Sequence, residues 1–282
     1  MKIIAGLLLL ASLAAPAQQP PPSRPRITGI NHVGIRVTDA AAARHFYTQI
    51  LGMSEPEARG SQLRFTVGRQ HVVVHPGLPE GEDERLTHVA FETPDIAALA
   101  THLSARGVSI SRPADRCHPS AIRVMDPDGH PIEFVPVTFP AAPAPEATGL
   151  ALSNRLLHAG LIVGNEETAH KFYRDVLGFS EIWRGGRTDG VTSWINMRVP
   201  DGTDYLEYML VTAPPDRRQR GTLHHICLRV PDIQTAWEAA ALRSGRAARL
   251  SPPNVGRNGK WQLNLYDPDG TRVELMEPFT TR

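Results

Sequence analysis

Histidines and glutamates return at matched places along this 282-residue chain. Four apolar segments carry a histidine at the same point: Asn31-His32-Val33-Gly34, Thr87-His88-Val89-Ala90, Leu157-His158-Ala159-Gly160 and His224-His225-Ile226-Cys227. Three later segments carry a glutamate between apolar neighbours: Ile132-Glu133-Phe134, Leu206-Glu207-Tyr208 and Val273-Glu274-Leu275. From opening His to closing Glu the separation is 45 residues for His88 and Glu133, and 49 for both His158–Glu207 and His225–Glu274. An imidazole and a carboxylate repeated at one spacing form a frame of metal ligands. His158, Glu207, His225 and Glu274 make a complete set of two imidazoles and two carboxylates. That set suits one divalent ion of Ni, Co, Mn, Fe or Zn, with positions left for water or substrate. His32, His88 and Glu133 make a second set of three. Its fourth position falls near Val72, which offers no ligand atom. His71 and His75 then face away, and a one-residue slip of register would reverse this. His224 points to the face opposite His225, so only His225, aligned with the other three histidines, is taken as a ligand.

The elements that must hold these side chains follow from periodicity. Each opening reads as an apolar strand. Ala43, Phe46, Tyr47, Ile50 and Leu51 then fall on one helix face before Gly52, and Ala169, Phe172, Tyr173, Val176 and Leu177 repeat that set between Asn165 and Gly178. Ile96, Leu99, Ala100 and Leu103 precede Gly107, and a fourth helix runs from Asp232 to Gly245. Short strands follow each helix. Asp126-Pro127-Asp128-Gly129 and Asp267-Pro268-Asp269-Gly270 are near-identical turns before the closing glutamates, and Asp201-Gly202 is a third turn. The order is β-α-β-β-β, four times. Strand alternation then brings a His from a first strand and a Glu from a last strand to one face of a curved sheet.

Met1-Lys2, the apolar run Ile3–Ala15 and Ala15-Pro16-Ala17 read as a secretory signal peptide over residues 1–17. Residues 18–26 are a proline-rich tether. The expected location is secreted or periplasmic, in a bacterium, with no membrane span after cleavage. The formal charge of +1 and the lack of a basic stripe with interleaved aromatics exclude nucleic acid as the expected partner. Cys117 and Cys227 do not form a disulfide scaffold; Cys227 reads as a small core residue in a strand and Cys117 lies in a polar loop. Pro140, Pro143, Pro145 and Gly149 mark a linker over 140–153. It divides the chain into domains at 27–139 and 154–280.

Phe46-Tyr47-Thr48-Gln49-Ile50-Leu51-Gly52, Phe172-Tyr173-Arg174-Asp175-Val176-Leu177-Gly178 and the two Asp-Pro-Asp-Gly turns resemble the vicinal oxygen chelate superfamily. Glyoxalase I, methylmalonyl-CoA epimerases, extradiol dioxygenases, and fosfomycin- and bleomycin-resistance proteins belong to that group. The resemblance implies an α+β fold: four βαβββ modules paired into two glyoxalase-like domains with curved mixed sheets, and one divalent metal per active domain. His158, Glu207, His225 and Glu274 match the His/Glu/His/Glu set of bacterial glyoxalase I. His32, His88 and Glu133 resemble the facial triad of non-haem Fe(II) oxygenases.

The substrate expected is a small oxygen-rich molecule. Trp194, Asn196 and Arg198 share one strand face, and Lys260, Gln262 and Asn264 share another, so Trp194, Asn196, Arg198, Lys260 and Asn264 are candidates to orient it. The alternative is an ordinary solvated face. Arg184 and Arg187 flank a Gly-rich loop and could meet a carboxylate. Three functions compete. In a glyoxalase- or epimerase-like lyase or isomerase, Glu207 or Glu274 would be the catalytic proton carrier. An Fe(II) extradiol dioxygenase expects a further His and Tyr ahead of the last Glu; Lys260–Asn264 has no His, and Tyr266 abuts the turn. A non-catalytic small-molecule binder would not need the ligand set.

Overall fold

A computed structural model describes residues 24–79, 82–113, 118–137, 150–245 and 250–281. The signal segment, most of the tether and linker, and Cys117 lie outside them. In the first half the strands are β1 (Gly29–Val37), β2 (Glu57–Arg59), β3 (Gln62–Val67), β4 (Gln70–Pro76), β5 (Leu86–Thr93), β6 (Ile122–Met125) and β7 (Pro131–Pro136). They form one sheet ordered β2-β3-β4-β1-β5-β7-β6. The second half supplies β8 (Leu156–Val163), β9 (Ser180–Gly185), β10 (Trp194–Arg198), β11 (Tyr205–Leu210), β12 (His225–Arg229), β13 (Asn254–Val255), β14 (Lys260–Tyr266) and β15 (Arg272–Thr280). Their order is β13-β14-β15-β12-β8-β11-β10-β9. Both sheets are mixed, and in each the two opening strands lie antiparallel at the centre, β1 on β5 and β8 on β12. The α+β architecture of paired modules is thus the one read from the sequence.

Three departures are informative. The second module places two named strands after its helix, with Ser111 and Arg123 forming an isolated bridge where a further strand was expected. The first and third helices begin as α1 (Ala40–His45) and α3 (Glu166–His170) and widen into π-helical turns, Phe46–Ile50 and Lys171–Val176. The remaining helices are α2 (Ile96–Ser104), α4 (Arg217–Leu223) and α5 (Ile233–Ser244). Of these, α4 was not read from the sequence. It starts from a capping box in which Asp216 accepts from the Gln219 amide and Gln219 accepts from the Asp216 amide.

One hydrophobic core runs through both halves, with Val33, Val72 and Phe134 in the same cluster as Leu161, Tyr208 and Val273. The tyrosines of the Phe-Tyr pairs, Tyr47 and Tyr173, are fully buried. Tyr173 crosses the seam and donates to Asp126 of the first Asp-Pro-Asp-Gly turn at 2.9 Å. The Asp267 charge of the matching turn acts in turn on Tyr47. The residues that carried the family resemblance therefore join the two domains.

Candidate metal centre

Strand pairing places the site. In the second domain His158 on β8 and His225 on β12 bring their Nε2 atoms to 3.0 Å of each other. Glu274 Oε2 lies 3.3 Å from His158 Nε2 and 3.6 Å from His225 Nε2, and Glu207 Oε2 lies 3.8 and 3.3 Å from the same two atoms. Four donor atoms from four strands thus converge within 4.8 Å of one another. Gly160 makes the approach possible. It pairs with both His225 and Glu207, and a Cβ there would stand 2.0 Å from the His225 ring.

Two of the donors, His225 and Glu274, are in states a metal needs. His225 Nδ1 lies 2.8 Å from the Leu223 carbonyl at the end of α4, so Nδ1–H donates and the Nε2 lone pair faces the cluster. Burial, then the nearby Arg272 and His158, holds the His225 pKa well below its usual value, leaving a neutral ligand. Burial works to raise the Glu274 pKa, but the His158 hydrogen bond and the Arg272 charge outweigh it and keep the carboxyl below its usual range. Buried neutral imidazole, ionised carboxylate and convergent geometry fit a divalent metal. His158 Nδ1 is a buried nitrogen without a hydrogen-bond partner among the described residues.

In the first domain His32, His88 and Glu133 also converge within 4.8 Å. His32 Nδ1 donates to Asn31 Oδ1 at 2.7 Å, and Asn31 Nδ2 donates to Glu92 at 2.8 Å. Here the carboxylate is held differently: Arg123 engages Glu133 Oε1 through Nε at 2.9 Å and through a second nitrogen. The register also corrects the fourth position. Glu207 pairs with Gly160, and the residue paired with the matching Gly34 is Val73, not Val72. Val72 and Val74 belong to the hydrophobic core. His71 and His75 therefore share the face of Val73 and His32, and His75 packs edge-on to His88 with centroids 5.6 Å apart.

The expected substrate residues divide. Asn196 pairs with Glu207 across β10–β11, and Asn264 pairs with Glu274 across β14–β15, so each amide sits beside a carboxylate on the ligand face. The Oδ1 atoms of both are buried without partners among the described residues. Trp194 lies two residues along that face and is partly buried, whereas Arg198 at the strand's other end is exposed. A register shift separates Lys260 from Gln262, so β14 does not present them in simple alternation, yet the Lys260 charge still acts on Cys227. Arg184 is occupied at the surface by Glu181 and Glu166. Arg187 lines a cleft of about 1000 Å³ with Leu210, Thr192 and Thr222, beyond the ends of β8 and β11. The ligand cluster itself is closed, and Glu207, at 12% side-chain exposure, is the most accessible member.

Three residues of this face were missed. A terminal nitrogen of Arg272 sits 2.7 and 3.0 Å from the two ring nitrogens of His225, a position over the ring face, and 4.0 Å from Glu207. Tyr205 packs on His158 with centroids 4.5 Å apart. Cys227 is buried as expected, but it pairs with His158 and Glu274, on the ligand face rather than in the shared core cluster. All three lie two residues from a ligand on the same strand, so alternation alone would have found them.

Paired βαβββ modules, with a His/Glu cluster in the cup of the second pair, define a tandem protein with a candidate metal centre in its second half. The chain belongs to the Glyoxalase/Bleomycin resistance protein/Dioxygenase superfamily, whose profile matches residues 29–134 and 155–275. Among curated proteins it is 28% identical over 130 residues to a lactoylglutathione lyase of Haemophilus influenzae, covering 45% of this chain and 96% of that one. It is 29% identical over 167 residues to a biphenyl-2,3-diol 1,2-dioxygenase of Paraburkholderia xenovorans, covering 54% of this chain and 55% of that one. Among solved structures, a variant of homoprotocatechuate 2,3-dioxygenase from Brevibacterium fuscum superposes with a TM-score of 0.72 at 21% identity, covering 92% of this chain and 74% of that one. That likeness concerns the fold.

Proposed function

We propose that the chain is an exported, metal-dependent lyase or isomerase of the glyoxalase or epimerase kind, acting in its second domain on a small molecule with vicinal oxygens. The observation that carries this is the four-membered set His158, Glu207, His225 and Glu274 converging in one cup. A divalent metal held there would supply Lewis acidity to two substrate oxygens. The rest falls to the chain's own residues. Glu274, buried and kept ionised, holds position between the two imidazoles. Glu207, more accessible and 4.0 Å from Arg272, is the base that takes a proton from the carbon beside a substrate oxygen and returns it elsewhere on the same skeleton, with no net redox change. Arg272 offers a cation to oxygen charge that develops next to Glu207, and Asn196 and Asn264 offer amides to further oxygens. The Met1–Ala17 segment supports export, which mass measurement of a mature chain beginning at Gln18 would test.

A second reading, ring-cleaving dioxygenase, is supported by the 167-residue match to the biphenyl-diol enzyme. Glu207→Gln separates the two. For the lyase or isomerase, it costs roughly 10²–10⁴-fold in turnover. For a dioxygenase, His158, His225 and Glu274 suffice as a triad and the change is mild. Stoichiometric O₂ uptake on catechols that survives Glu207→Gln would overturn the proposed reaction.

A further inference from the structure

Strand register allows the two cups to be compared position by position. His32, His88 and Glu133 occupy the places of His158, His225 and Glu274. Around them several positions differ. Val73 replaces Glu207, since each pairs with the glycine two residues beyond the opening histidine. Arg64, paired with Val73, replaces Asn196, paired with Glu207. Arg123, paired with Glu133, replaces Asn264, paired with Glu274. His71, paired with His32, replaces Tyr205, paired with His158. The first cup has thus lost a carboxylate and gained two guanidinium groups, while Pro131 stands where the second cup has Arg272, so the net change is two unit charges toward positive. None of this favours a cation. Arg123 holds the one remaining carboxylate, where a metal would have to displace it.

Four of these side chains border a small cavity. His32, Arg64, Val73 and Glu133 line it, with Arg59 and Gln62 approaching from the β2–β3 hairpin at the sheet edge. Its volume of about 20 Å³ is room for roughly one water-sized atom, and thus for one oxygen of a headgroup. Arg59 is itself paired with Glu57. We propose that the first domain's cup is a binding site for the oxyanion head of a small molecule, a carboxylate or phosphate received by Arg64 beside His32 and His118, in place of a metal. A guanidinium suits a planar or tetrahedral oxyanion, because it presents paired N–H donors. The imidazoles of His32 and His118 border the same space and add donors or acceptors according to tautomer.

The test is calorimetric titration of the full chain with inorganic phosphate and, separately, with succinate. It is run on the wild-type protein and on a His225→Ala, Glu274→Ala double variant, in which the second cup has lost two ligands. One anion per chain is expected in both backgrounds, so the result stands apart from the fate of the proposed reaction. The tighter of the two anions identifies the source. Arg64→Met should weaken binding at least ~10-fold, a loss of about 1.4 kcal/mol, while Arg64→Lys retains part of it; the circular dichroism spectrum of each variant checks the fold. His32→Ala should leave the metal content per chain unchanged. Absence of anion binding, binding indifferent to Arg64→Met, or the loss of one metal equivalent in His32→Ala would each overturn the proposal.

Discussion

Two glycines decide whether a histidine can enter each cup. Gly160 sits beside His225 and Gly34 beside His88, and a Cβ at either would meet the ring at 2.0 or 2.4 Å. No real side chain makes such contacts, so the imidazole must move. Gly160→Ala should therefore cost the second domain its metal: measured by mass spectrometry of purified protein, occupancy should fall at least ~10-fold, the range seen when metal sites lose supporting interactions. Gly34→Ala, making the same change in the first cup, should leave the metal count as it was. Full occupancy in Gly160→Ala would show that His225 is not a ligand. The sequence made these residues visible only as a repeat, His-Val-Gly and His-Ala-Gly. Why glycine recurs is a matter of the neighbouring strand, which no local pattern reports. Arg272 was hidden for the opposite reason: it lies on a legible face, but an arginine before an apolar strand is ordinary surface chemistry until its guanidinium is seen over His225.

At the scale of the element, register carries the distinction between the two domains. Helix periods and turn residues were enough for most of the modules, because caps such as Asp39, Asp95, Asn165 and Asp232 do accept the first helical amides. Strand β4 was different. Gln70–Pro76 holds three consecutive valines, and a run without alternation does not say which residue faces the cup. Pairing with β1 settles it, one residue from where alignment of the repeats placed it. This has a direct test. Val72 is buried in the shared core, so Val72→Glu should destabilise the protein by several kcal/mol, as an unpaired buried carboxylate does. Val73→Glu should be tolerated, because it faces His32 and Arg64. Combined with Arg64→Asn and Arg123→Asn, it would reproduce the second cup's four ligands and flanking amides and raise metal content by one equivalent per chain. A folded Val72→Glu protein of native stability would refute the register.

The whole molecule is held by a seam in which polar groups of one domain complete the other. Asp204, before β11, is 5% exposed. It accepts from the Ile30 amide at 3.0 Å and Gln70 Nε2 at 3.2 Å in the first domain, and from Arg155 at 2.6 Å in its own. Gln70 also donates to the Ile30 and Leu156 carbonyls and accepts from the Leu156 amide, spanning both central strands. His224, set opposite the ligand face, lies 3.1 Å from Glu84 of the first domain. With one apolar core shared across this seam, the halves should unfold together. Trp183, Trp194, Trp237 and Trp261 all lie in the second domain, so fluorescence follows that half while far-ultraviolet circular dichroism follows both. In urea the two signals should give one midpoint for the wild-type protein. Asp204→Ala strands two donors and the Arg155 charge, a change that costs about 3 kcal/mol for a broken buried pair. It should move both signals to a lower midpoint together, and Asp204→Asn, which keeps an acceptor, should move them less. Separate wild-type midpoints would mean that each domain stands on its own, and the seam would then be a contact between finished halves rather than part of a common core.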